Sequence, residues 1–140
     1  MSELAEIKKI NNKLQKSGYT NIENIPSSLS DWRSLSELAK LIKDILDGEY
    51  QIFENTEGKL ETLFSKLEVD VPGSLNTPSI LARFKVLETI AYKLKMNFTD
   101  QNNSIKFETD KQFLIVAYSN LIFQITKTLE KESQIKFKNN

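Results

Sequence analysis

The chain contains no cysteine and no histidine, and this removes more chemistry than any other feature of its composition. Without thiols there is neither a disulfide framework nor cysteine nucleophilic chemistry, a composition that suits a cytoplasmic protein. Without imidazole there is no Ser-His or Cys-His relay and no histidine-ligated metal, so the commonest catalytic toolkit is missing. The four glycines, at 18, 48, 58 and 73, are scattered, and neither a Walker A loop nor a dinucleotide fingerprint assembles from them. Net charge is also absent: 19 basic residues balance 19 acidic ones, which disfavours nucleic acid or an anionic membrane as the first partner. Repeats and low-complexity tracts are missing as well, so the chain does not read as a solenoid.

Long apolar runs are short of membrane length. The most apolar window, residues 113 to 129, is interrupted by Asn120, Gln124 and Lys127 and falls below the roughly 20 residues that a spanning helix needs. The charged start, MSELAEIKKINNK, lacks the apolar stretch and small-residue site of a secretory signal and reads as mature structure. No membrane insertion is expected.

What remains is an amphipathic helical pattern. At 140 residues the chain fits a single domain, residues 1–140, large enough to bury about two-thirds of its unfolded surface. Leu4, Ile7, Ile10 and Leu14 share a helical face over residues 3 to 16, with Ser2 before them and Gly18 after. Residues 19 to 30, rich in Asn and Ser around Pro26, read as a loop. Ser34 and Glu37 have capping-box spacing ahead of Leu38, Leu41, Ile42 and Ile45, which places a helix over about 31 to 47, stopped by Gly48. Leu60, Leu63, Phe64 and Leu67 suggest a weaker, peripheral helix. Thr77-Pro78 is a cap followed by a proline suited to the first helical position, so a long helix is expected from Pro78 through Phe98. Thr109 and Gln112 offer another capping box, placing the start of the last helix near Asp110.

That last helix is the most informative segment. Phe113, Leu114, Ile115, Val116, Ala117, Tyr118, Leu121, Ile122, Phe123, Ile125 and Leu129 cannot share one face at 100° per residue. The expectation is therefore an all-α fold of about five helices, packed around this C-terminal helix as a buried central post.

Few residues suggest a site. Asp44, Asp47 and Glu49 cluster near a helix end, but lack the alternating ligands and closing glutamate of a calcium loop and read as a solvated terminus. Glu88 leaves carboxylate catalysis or a ligand pocket between the last two long helices formally open, although nothing marks a paired acid. The expectation is a non-enzyme with no cofactor and no metal. Lys8, Lys9, Lys13 and Lys16 make a basic stripe opposite the apolar one on the first helix, suited to an acidic surface such as a tubulin tail or to plain solvation. Trp32 and Arg33 are residue types favoured at interface hot spots, and Trp32 serves equally as a hydrophobic staple. Lys127, Lys131, Lys136 and Lys138 complement the dipole of the last helix.

Several of these residues occur in a familiar order. A first helix ending at Ser17-Gly18-Tyr19, then Trp32-Arg33 and Leu35-Ser36-Glu37-Leu38, resembles the divergent calponin-homology-like (NN-CH type) domains at the N-termini of ciliary, centrosomal and intraflagellar-transport proteins. Arg83-Phe84 with Leu87, Ile90 and Ala91 is similar to their next long helix, and Lys111-Gln112-Phe113 with Ala117 and Leu121 to their last. The similarity covers roughly residues 4 to 47 and 80 to 130. Thr20 stands where the family often has proline, and residues 48 to 77 read as an insertion. The resemblance implies a calponin-homology-like fold and a protein-binding role toward tubulin, microtubules or a ciliary or cytoskeletal assembly partner. A small structural helical subunit, buried in a larger assembly through Ile52, Phe53 and Phe137, is the alternative.

Overall fold

A computed structural model describes residues 25–54, 57–99 and 104–138, and the side chains to residue 135. Five helices occur among the described residues: α1 (Arg33–Leu46), α2 (Gln51–Glu54), α3 (Lys59–Val69), α4 (Pro78–Thr99) and α5 (Ser104–Lys138). Short 3-10 turns at Ser27–Leu29 and Gly73–Leu75 join them, and no strand is present among these residues. The expected all-α class is what the chain adopts. The helix expected over residues 3 to 16 lies outside the described residues.

The frame is an antiparallel pair. α4 and α5 are joined by a short connection, Asn97 Nδ2 donates to Asp110 Oδ2 at 2.8 Å beside it, and Phe98 meets Phe107 at 6.0 Å. Pro78 begins α4 as its fixed φ predicts, and the backbone N–H of Ile80 donates to Thr77 Oγ1 at 3.2 Å. At about 1.5 Å per residue, the 22 residues of α4 extend for ~33 Å and the 35 of α5 for ~52 Å. The last turns of α5 therefore run past α4, and Ile125 is the final buried residue among those described.

α1 lays Leu35, Leu38, Ile42 and Ile45 against this pair at spacings of three and four. Its end follows glycine chemistry. Gly48 has φ 81°, the Gly48 N–H donates to Ile45 O at 3.1 Å and the Glu49 N–H to Asp44 O at 2.8 Å, which satisfies two terminal carbonyls in a Schellman arrangement. Its start differs from expectation. Trp32 is the N-cap, with no side-chain cap bond, and Ser34 lies inside the first turn with its hydroxyl buried and unpaired. Burying both Trp32 and Leu35 begins the helix before Ser34 can cap it, so core packing overrides the capping-box spacing.

α3 is not peripheral. Leu60, Phe64 and Leu67 are buried in the same continuous cluster as α1, α4 and α5, together with Phe53 and Leu75. The segment from 48 to 77 thus contributes core side chains. Lys85–Glu68 at 3.0 Å and Lys95–Glu61 at 3.6 Å tie α4 to α3 at the surface. α5 begins earlier than the capping box implied, at Ser104. Thr109 Oγ1 donates back to Ile105 O at 3.0 Å inside the helix, and Phe107 is buried against Tyr50 at 5.0 Å, so aromatic burial extends the helix by more than a turn.

Candidate interaction surface

α5 divides its apolar residues between two environments. Phe107, Leu114, Ile115, Tyr118, Leu121 and Ile125 form the buried arc. Phe113 and Phe123, on the other side, are 44% and 62% exposed, with Val116 and Ala117 half-buried between them. The expected central post is therefore covered on one side only among the described residues. The uncovered arc meets Val86 and Ile90 of α4, and the two helices enclose a groove of about 420 Å³.

The groove has an apolar floor and a polar rim. Val86, Ile90, Phe113, Val116 and Ala117 line it, with Arg83 and Asn120 toward one end and Lys93 and Asp110 toward the other. Asp110 is already engaged by Asn97, whereas Arg83 Nε is buried without a hydrogen-bond partner. An unpaired buried donor carries its full desolvation cost. The lining contains one carboxylate, Asp110, so the paired acids of glycoside chemistry are not assembled there.

A larger depression, of about 550 Å³, lies where α1, α2 and α3 meet. Its rim mixes Glu37, Asp44 and Glu49 with Lys40, Lys59 and Lys66, an arrangement suited to solvent rather than to a ligand of one charge. Asp44, Asp47 and Glu49 form no cation site, and no group of three potential ligands able to hold a metal occurs among the described residues.

A third constellation is structural. Tyr50, Phe53, Phe98 and Phe107 surround one another at 5.0–6.3 Å, and Lys111 lies against them, buried, donating to the Tyr50 hydroxyl at 2.9 Å with its Nζ 5.3 Å from that ring centroid. The Lys111 charge thus meets an oxygen and a π face of the same tyrosine. This cluster seals α2 onto the hairpin end of α4 and α5. Two tyrosine hydroxyls are perturbed: burial pushes Tyr118 well above the ordinary tyrosine value, and burial followed by the nearby Glu61 and Glu88 raises Tyr92. Glu88 thus adds negative charge beside both Tyr92 and Lys85 on α4.

The residues singled out in the sequence are dispersed. Trp32 is 3% exposed and meets the Phe84 ring edge-on at 6.0 Å, so it is a core residue at the N-cap rather than a staple, with almost none of its surface left for a partner. Arg33 is exposed at the first residue of α1. Lys8, Lys9, Lys13 and Lys16 lie outside the described residues. Phe53 is buried and Ile52 half-buried, so neither is a bare apolar contact, and the Phe137 side chain lies outside those described. Lys127 pairs with Glu130 at 3.4 Å and lies 5.5 Å from the Phe123 ring centroid. The sequence leaves a pocket between the last two long helices open but does not single out the residues that line the α4–α5 strip. Its signal was the same surplus of apolar residues, but the wheel alone does not say which arc lacks a neighbour.

Among the described residues no helix is long and apolar enough to cross a membrane. Comparison of the chain with known protein families, with curated proteins and with solved structures finds no match.

Proposed function

We propose that this chain is a non-catalytic protein-interaction module of calponin-homology-like type, which docks helices on its α4–α5 strip and engages tubulin, microtubules or another cytoskeletal or ciliary assembly partner. The observation that carries the reading is the strip itself: an elongated apolar floor between two helices, with charge at both ends, matches an amphipathic helix better than a small solute. The context rests on the resemblance through Ser17-Gly18-Tyr19, Trp32-Arg33 and Arg83-Phe84, with the lysines of residues 8 to 16 as the partner contact.

Microtubule co-sedimentation of the full chain tests it. Binding is expected to weaken with salt and on charge reversal of Lys9, Lys13 and Lys16, because exposed ion pairs are screened over about 10 Å at 0.1 M salt. Binding indifferent to both overturns the basic contact, and no binding to tubulin or to a ciliary extract overturns the context. A small structural subunit of a larger assembly is the second reading, favoured by Phe123 and by Ile135 on the overhanging turns of α5, both exposed. A monodisperse monomer in a solution-size measurement counts against it.

A further inference from the structure

The polar residues of the α4–α5 strip match best when the strip meets its own copy. We propose, on the reading of the strip as a helix-docking face, that its occupant is a second copy of this chain, with α4 of each copy laid antiparallel on α5 of the other about a twofold axis parallel to the helices.

Charge selects this occupant. Lys93, exposed on α4, and Asp110, half-buried on α5, line the same end of the groove. Asp110 accepts from Asn97, which is neutral, so that bond brings it no countercharge. A foreign helix with charge of one sign at this end would suit one of the two residues and repel the other. A second copy turned about the axis brings the same pair in exchanged order, so that Lys93 faces the partner's Asp110 and Asp110 faces the partner's Lys93. At the other end the rotation sets Arg83 against the partner's Asn120, whose side-chain carbonyl accepts hydrogen bonds. Between the ends, Val86 and Ile90 come over the partner's Phe113 and Ala117, and Val86 and Phe113 are 51% and 44% exposed.

Backbone electrostatics favour the same arrangement. α4 and α5 already run antiparallel, and the axis makes four helices in which every neighbour is antiparallel and the macrodipoles oppose. The strip from Arg83 to Lys93 measures about 15 Å along α4, and two helices of ~10 Å diameter make it ~20 Å wide. Two such faces bury roughly 600 Å², below the ~1,200 Å² of stable complexes, so the pair forms as concentration rises and dissociates on dilution. Two copies joined this way present each outer contact twice, and binding to a repeating partner gains by avidity.

Sedimentation of the full chain from micromolar to millimolar concentration tests the proposal. The average mass is expected to rise toward twice the monomer value, and Val86→Glu, at an exposed position of the floor, to abolish the rise. Asp110→Lys and Lys93→Glu are each expected to weaken self-association by about tenfold, while an equimolar mixture of those two chains recovers it, because each then meets an opposite charge at both contacts. Emission of the buried Trp32 reports that every variant keeps its core. A dimer unmoved by Val86→Glu, or a mixture no tighter than its components, would overturn the proposed pairing. A chain that stays monomeric would overturn it too. In that monomer, Val86 and Val116 methyls shielded from a soluble gadolinium chelate, alone or with tubulin added, would leave the docking face standing, and methyls open to the chelate in both cases would overturn that reading as well.

Discussion

Two residues of α5 that a hydropathy scale scores alike, Phe123 and Ile125, should respond oppositely to truncation. Ile125 is fully buried, and an Ile→Ala change at such a site removes transfer energy and leaves a cavity, at a cost of about 2–5 kcal/mol. Phe123 is 62% exposed, so little more than a third of its surface is covered. A phenylalanine buries roughly 150–250 Å² when fully enclosed. The covered part of Phe123 then amounts to roughly 60–90 Å², worth at most about 2 kcal/mol at ~25 cal/mol per Å². Alanine returns about 0.5 kcal/mol of helix propensity, and the exposed Lys127 contact adds little, which leaves a net cost near 1 kcal/mol. Urea unfolding followed by the emission of Trp32, the sole tryptophan and buried, reads both changes as midpoint shifts at constant slope. With a slope of about 2 kcal/mol per molar, Phe123→Ala is expected to move the midpoint by about 0.5 M and Ile125→Ala by 1 M or more. Equal shifts would refute the reasoning, because they would mean that α5 is covered on every side.

Further outcomes follow from single groups. Ser34→Ala is expected to leave stability unchanged or to raise it by up to about 1 kcal/mol, since it deletes a buried hydroxyl without a partner; a loss above 1 kcal/mol in the same urea titration would restore Ser34 as a cap. The raised Tyr118 hydroxyl sets an alkaline limb: above the ordinary value of 10.0 the unfolded chain releases a proton that the folded chain retains, so stability is complete below that pH and falls as pH rises through it. The slope from this group approaches about 1.4 kcal/mol per pH unit, and Tyr118→Phe should flatten the limb; an unchanged limb in urea titrations between pH 9 and 11 would place the effect elsewhere.

Local signals were legible where backbone chemistry decides them. Thr77-Pro78 opened α4, and Gly48 closed α1, because a proline's fixed φ and a glycine's positive φ act within a few residues of chain. Signals failed where burial competed with them. Ser34 and Thr109 both have the spacing of caps, yet both lie inside helices, since Trp32, Leu35 and Phe107 gain more from the core than a single hydroxyl bond supplies. The weak period of Leu60 to Leu67 concealed a core helix because α3 is short and four of its five apolar residues are buried, Val69 alone being exposed.

By itself, then, the sequence determined the helical class, most helix positions, the missing thiol and imidazole chemistry and the surplus of apolar residues in α5, all properties of composition or of neighbours along the chain. Only the tertiary structure decided which arc of α5 is buried, that Trp32 is core, that Lys111 is buried against the Tyr50 ring and hydroxyl and that Arg83 Nε sits unpaired beside an open strip. The physical reason is that helical periodicity records which residues prefer to leave water, whereas the identity of the neighbour that removes them depends on contacts between residues far apart in the chain.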